Sequence, residues 1–231
     1  LSEWKVRTSD DADGEGGLVW SKVRSNGFSH ALIDTERGVN YYLKSNDTTA
    51  QDTSRTDLIT GFNSNGYTLG SDSGKWYWNR SGEDYVSWTF RKAPKFFDVV
   101  TYTGNSTAGR TVSHNLGSVP GMILVKCTSN SGDWVVYHRG LSNPTGNMLQ
   151  LNSTTSEIQG RWNNTAPTST EFTLNDSLGV NGTGRTFVAY LFAHNNNDGG
   201  FGPDGDADII KCGSYSGSSS VGNFVNLGFE P

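Results

Sequence analysis

The chain has 231 residues, of which 18 % are charged and 12 % aromatic, with 29 Gly and 6 Pro. That length can bury a sizeable core, and the aromatic content excludes a disordered chain, which lacks the residues that drive burial. A net charge of −5 without any Lys/Arg cluster excludes a duplex-binding surface, which needs basic residues to neutralise phosphates.

No apolar run reaches the roughly 20 residues of a membrane-spanning helix, and no charged-then-apolar signal segment opens the chain. Nucleic acid and membrane are therefore not expected as partners. From the first residues onward the pattern is one of short strands. Val19-Trp20-Ser21-Lys22 leads into a Ser25-Asn26 turn, then His30-Ala31-Leu32-Ile33-Asp34, Tyr42-Leu43-Lys44-Ser45-Asn46 and Tyr67-Thr68-Leu69. Trp76-Tyr77-Trp78 lies between Gly74 and Gly82 with Lys75 and Arg80 close by, and reads as an exposed aromatic tip. Tyr85-Val86-Ser87-Trp88-Thr89-Phe90 follows, and residues 91–95 with Pro94 form a linker. Thr111-Val112-Ser113-His114 and Glu171-Phe172-Thr173-Leu174 alternate with period two, as half-buried strands do. Residues 122–125 and 187–192 are continuous apolar strings, suited to the middle of a sandwich. Turn signals lie between them, Ser131-Gly132, Asn143-Pro144-Thr145-Gly146 and Asn181-Gly182 among them. No segment of twelve residues carries a 3.6 period, so the chain reads as all-β.

The sequence repeats itself. Residues 18–93 align with 122–195: Val19-Trp20-Ser21-Lys22 meets Ile123-Leu124-Val125-Lys126, and the stretch from Tyr85 to Phe90 meets that from Phe187 to Phe192. The segment from His30 to Asp34 is set against that from Asp133 to Tyr137. Asp98-Val99-Val100, Tyr102-Thr103-Gly104 and Asn115-Leu116-Gly117 recur as Asp208-Ile209-Ile210, Tyr215-Ser216-Gly217 and Asn226-Leu227-Gly228. The expected division is a first β-sandwich repeat over 1–95 without its opening strands, and a complete second repeat over 96–195. A Gly/Asn/Asp linker over 196–206 and the opening strands of a third repeat over 207–231 complete it. The last of these is read as a sign that the chain is a segment of a longer array, or else as strands completing the preceding repeat. Six to eight short strands per copy fit a two-sheet antiparallel sandwich.

Motifs for catalysis are lacking in the sequence. His30, His114, His138 and His194 stand in no nucleophile pattern, no Gly-x-Ser-x-Gly elbow occurs, and most acidic residues fall in turns rather than facing one another on strands. An enzyme is not expected. Asp204, Asp206 and Asp208 place oxygen donors on alternate residues of a Gly-bearing loop, as Asp11, Asp13 and Glu15 do. Such a loop suits a hard cation, with Ca²⁺ the candidate cofactor, or is a solvated turn in which Asp caps the backbone. Trp76, Tyr77 and Trp78 are the candidate carbohydrate-binding residues, since flat amphipathic rings stack on sugar faces. The competing reading is an aromatic cluster that shields one end of the sandwich. Trp134 and Trp162 read as core. Cys127 and Cys212 read as buried small hydrophobes, or as one bridge. Asn-x-Ser/Thr triplets begin at Asn46, Asn79, Asn105, Asn152, Asn163, Asn175 and Asn181, and are read as accidents of an Asn-, Ser- and Thr-rich composition.

Three runs together resemble a repeat of large structural proteins in marine tailed bacteriophages, those of cyanobacteria included. They are Asp98-Val-Val-Thr-Tyr-Thr-Gly-Asn105, Ser113-His-Asn-Leu-Gly-Ser-Val-Pro-Gly121 and Asp133-Trp-Val-Val-Tyr-His-Arg-Gly140. The likeness runs from Leu18 onward. It implies a virion appendage or tail-fibre module with a lectin-like, concanavalin-type jelly-roll sandwich, located on the virion surface or otherwise outside the cell. Its partners would be other virion proteins, copies of itself (a trimer about a fibre axis among them) and host surface glycans. It brings no catalytic or binding residue with it. The alternative function is a secreted or cell-surface carbohydrate-binding lectin module, with or without dependence on Ca²⁺.

Overall fold

Successive side chains of a strand point to opposite faces, so a string such as Met122-Ile-Leu-Val-Lys-Cys127 needs cover on two sides. The computed structural model, which describes residues 16–72 and 78–230, supplies that cover. Among these residues the elements are β1 Gly17–Val23, β2 Ala31–Asp34, β3 Ile59–Asn63, β4 Gly66–Leu69, β5 Tyr85–Arg91, β6 Phe97–Thr103 and β7 Arg110–Ser113. They continue with β8 Met122–Cys127, β9 Val135–His138, β10 Asn147–Gln150, β11 Ile158–Gln159, β12 Glu171–Leu174, α1 Leu178–Asn181 and β13 Thr186–Phe192. All strand pairings are antiparallel. The protein is nearly all-β, and its one described helix is a single turn.

The sheets stack in four layers. A six-stranded sheet, β11-β10-β9-β8-β13-β6, lies in the middle. On one face, Ile123, Val125, Phe187, Ala189 and Leu191 pack under the β12-β7 pair through Phe172, Leu174 and Val112. On the other, Leu124, Val136, Val188, Tyr190 and Phe192 pack against Leu18, Leu32 and Leu43 beside the three-stranded sheet β2-β1-β5. That sheet turns Val19, Ala31 and Ile33 the opposite way, towards Ile59 and Phe62 of the β3-β4 hairpin and Trp78. The residues of 16–95 and those of 96–195, expected in succession, are thus laid face to face across one shared core.

The two sheets agree in detail. Trp20 of β1 lies opposite Leu32 and Trp88, and Leu124 of β8 lies opposite Val136 and Tyr190. The sequence alignment of β5 with β13 therefore matches the strand register. The alignment of residues 30–34 with 133–137 is one residue out, since Leu32 occupies the place of Val136.

Residues 208–230 form no strand. Ile210 and Cys212 dock on the body: Asn195 N donates to Ile210 O at 2.9 Å and Cys212 N donates to His194 Nδ1 at 3.2 Å. Beyond them Tyr215, Val221, Phe224 and Val225 are exposed. The buried Asn195 side chain joins the chain just before β6 to the chain just after β13. Its Nδ2 donates to Lys95 O at 2.9 Å, and its Oδ1 accepts from Ile209 N at 3.0 Å.

Candidate functional site

The outer strand of the three-stranded sheet carries the largest exposed ring of any described strand. Trp88 is 47 % exposed and its strand neighbour Val86 40 %. Since Trp20 and Trp88 face each other across β1 and β5 and His30 precedes β2, three rings meet on one face. Their centroids lie 5.8 Å (Trp20–His30), 6.0 Å (Trp20–Trp88) and 6.4 Å (His30–Trp88) apart, with His30 and Trp88 nearly parallel. Trp20 Nε1 donates to His30 Nδ1 at 2.8 Å, which leaves the ring proton of neutral His30 on Nε2 as a donor. Burial, then the Lys22 charge, lowers the His30 pKa and keeps the ring neutral. An open indole face beside a neutral N–H donor suits a hydroxyl-bearing ring better than an anion. The equivalent rings of the second sheet, Trp134 and Tyr190, stack at 6.1 Å and are fully buried.

Two clefts open between β4 and β5. The larger, about 580 Å³, is lined by Val19, Phe62, Asn65, Tyr67, Thr89 and Phe90 among others. The smaller, about 240 Å³, is lined by Ser21, Leu69, Trp78, Tyr85 and Ser87 among others. Tyr67 Oη bridges the gap to Ser87 Oγ at 3.2 Å.

The most concentrated charge chemistry lies elsewhere, in the shared core. Arg37 Nε donates to Asp34 Oδ2 at 2.6 Å, Tyr190 Oη donates to the same oxygen at 2.8 Å, and Arg37 Nη2 donates to Tyr190 Oη at 3.0 Å. Burial opposes the Arg37 charge, yet Tyr190 and Asp34 together raise its pKa. Burial pushes the Tyr190 phenol well up. Lys126 is fully buried and donates to Thr48 O at 3.0 Å and Gly132 O at 2.6 Å. Trp134 Nε1 donates to Lys44 O at 2.8 Å. These groups tie one sheet to the other, and Arg37 also lines an open cleft of about 340 Å³ with Tyr41, Gln51, Tyr102 and Thr186.

Of the sites expected from sequence, only part falls among the described residues. Trp76 and Tyr77 lie outside the described residues, as do Asp11, Asp13 and Glu15. Trp78 is 2 % exposed, packed edge-on against Tyr67 at 6.2 Å, so it is a core residue and offers no face to a sugar. Its place is held by Asp72, whose Oδ2 accepts from Trp78 N at 2.8 Å. Asp204 and Asp206 are exposed in the turn of the Phe201–Ala207 bridge. Asp208 turns away to accept from Asn197 N at 2.7 Å and Gly199 N at 2.9 Å, bonds that lower its pKa. Its oxygens cap the 196–199 loop instead of converging with the other two carboxylates. Among the described residues no three His, Cys, Asp or Glu side chains are placed to hold a metal ion. Trp134 and Trp162 are core. Cys127 and Cys212 are free and buried. Asn181 is fully buried, bonded to Asn105 N, Thr107 O and Asn175 O, so that triplet cannot accept a glycan.

Sequence reasoning did not single out Trp20, His30 and Trp88. The available signal was that Trp88 replaces Tyr190 and Trp20 replaces Leu124, a widening of rings at positions where the other copy fills a core.

Comparison with curated proteins and with solved structures returns no match. A family model described as a domain of unknown function matches residues 11–231 and so takes in both sheets together, and the chain belongs to that family, DUF7483.

Proposed function

We propose that the chain is a structural module of a tailed-phage appendage or capsid surface, built from a duplicated antiparallel β-sandwich of the lectin-like jelly-roll type. The carrying observation is the common plan of the two sheets: β2-β1-β5 and β9-β8-β13 have the same strand order, the same antiparallel pairing and the same cross-strand register, with Trp20 opposite Trp88 as Leu124 is opposite Tyr190. Interlocking polar groups spend the chain's most reactive side chains on holding sheets together, which suits a load-bearing part. The resemblance of the repeat to marine phage structural proteins gives the setting. Mass spectrometry of purified virions tests it: peptides of this chain should be found in them at structural stoichiometry, and their confinement to the host lysate would refute the assignment.

The Trp20–His30–Trp88 face favours a second reading, attachment to host surface glycans by ring stacking. Repeated weak contacts of this kind gain strength by avidity. A glycan array probed with and without EDTA tests it. Binding lost on Trp88→Ala supports it, and silence in both conditions removes it. No bound cation is required, so EDTA should leave binding intact.

A further inference from the structure

The two sandwiches differ at one place, and the difference is informative. In the second, β13 lies between β8 and β6, and β12 is paired with β7. Strands β6 and β7 close the open side: Tyr102 stacks on Phe187 at 5.1 Å, while Val112 and Leu116 are buried in the core. In the first, β5 is the counterpart of β13, but among the described residues β1 is its only strand partner, and β4 is paired only with β3. The consequence is visible in burial. Val188 and Tyr190 of β13 are fully buried, whereas their counterparts Val86 and Trp88 are exposed. Two clefts, of about 580 Å³ and 240 Å³, lie along this side, between β4 and β5. Among the described residues, the first sandwich lacks an edge strand on each of its two sheets.

Residues 213–230 carry a second copy of the end of β6 and of the segment around β7. Tyr215-Ser216-Gly217 repeats Tyr102-Thr103-Gly104 at the end of β6, and Asn226-Leu227-Gly228 repeats Asn115-Leu116-Gly117 just after β7. Residues 213–230 form no strand, lie mostly exposed and present Tyr215, Val221, Phe224 and Val225 to solvent. An edge strand offers unpaired backbone donors and acceptors, and an extended segment of matching pattern satisfies them by strand addition.

We propose that residues 213–230 of a second copy of this chain dock along the open side of the first sandwich, adding strands beside β5 and β4, so that copies join head to tail. Tyr215 then lies over Tyr85 as Tyr102 lies over Phe187, and Leu227 enters the larger cleft as Leu116 enters the second core. Donor and acceptor sit on different faces of one chain, so the contact is heterologous and extends to rings or filaments. The idea rests on the duplicated-sandwich reading and names the partner that completes it.

The test uses the full chain in analytical ultracentrifugation over a concentration series. The wild type should associate progressively. Tyr215→Asp/Leu227→Asp, in a segment that forms no strand, should be monomeric. Val86→Arg/Thr89→Arg, at exposed positions of β5, should be monomeric too. Mixing these two variants should give a 1:1 dimer and nothing larger, because one supplies an intact donor and the other an intact edge. A wild type that stays monomeric to hundreds of micromolar overturns the proposal. Association that survives the donor substitutions overturns it equally. Neither result would touch the common plan of the two sheets, which stands on strand register alone.

Discussion

Replacing Arg37 by Met should cost this protein a large part of its stability, and the size follows from what remains behind. Arg37 gives Asp34 its shortest bond, at 2.6 Å, and donates to Leu32 O at 3.2 Å and to Tyr190 Oη at 3.0 Å. The side chains of Arg37 and Asp34 are 4 % and 0 % exposed. With Met at 37, the Asp34 carboxylate keeps the Tyr190 hydroxyl and the backbone N–H of residue 37, but no countercharge. Removing one partner of a buried pair costs about 3–5 kcal/mol. For a domain of this length that lowers the melting temperature by on the order of 10 °C. The second half of the experiment is Asp34→Asn/Arg37→Met, which removes the stranded charge. Its cost should fall short of the sum of the two single substitutions by about 1–3 kcal/mol, the range for side chains in direct contact. Urea unfolding followed by tryptophan fluorescence reads both, since Trp134 stacks on Tyr190 in the same core. A loss below about 1 kcal/mol for Arg37→Met, or costs that simply add, would refute the view that this network locks the two sheets together.

The remaining expectations are briefer. His30, His114, His138 and His194 all have pKa values lowered chiefly by burial. The unfolded chain therefore binds more protons than the native one, so stability is fully present above about pH 6.5 and declines as pH falls towards 5; urea midpoints that stay flat over that window would contradict this. Burial raises the Cys212 thiol pKa to about 11, so native protein should resist a thiol-specific disulfide reagent at pH 8 and react only when unfolded. A Cβ at position 121 would stand 2.6 Å from Cys212 Cβ and 2.9 Å from His194 Cβ, so Gly121→Ala should destabilise by about 1–3 kcal/mol and make Cys212 reactive while Cys127 stays silent. Trp88→Ala should abolish glycan responses while costing no more than about 1.5 kcal/mol, because half the ring is already in water and the edge contact with Trp20 is what is lost; a larger fall in stability would mark Trp88 as a core residue.

The strands were legible in the sequence where burial is two-sided or strictly one-sided. Residues 122–125 and 187–192 point to β8 and β13 because these apolar strings are short and bounded by turn signals, and the alternation at 111–114 and 171–174 points to β7 and β12. What covers each face was not legible. The Leu18–Trp20 and Leu124–Val136 surfaces each announce an apolar face, but nothing in their pattern says that they bury one another. The burial of Asp34 and Lys126 has no local signal, since their partners, Tyr190 for one and Thr48 for the other, lie more than seventy residues away. Trp78 was misread for a related reason. A tryptophan among glycines and basic residues looks like a loop tip, whereas the carboxylate that turns it inward, Asp72, is a local cap without sequence periodicity. Asp208 shows the reverse case: alternate carboxylates suggest convergence on an ion, and backbone N–H groups had already claimed the third.

The Asn195 side chain, which bonds Lys95 O on one side and Ile209 N on the other, brings the chain before β6 and the chain after β13 to one corner, beside the Phe97–Phe192 rung where their ladder begins. A pull along the polypeptide would therefore open that ladder from its end, rung by rung, and not shear all of its hydrogen bonds at once.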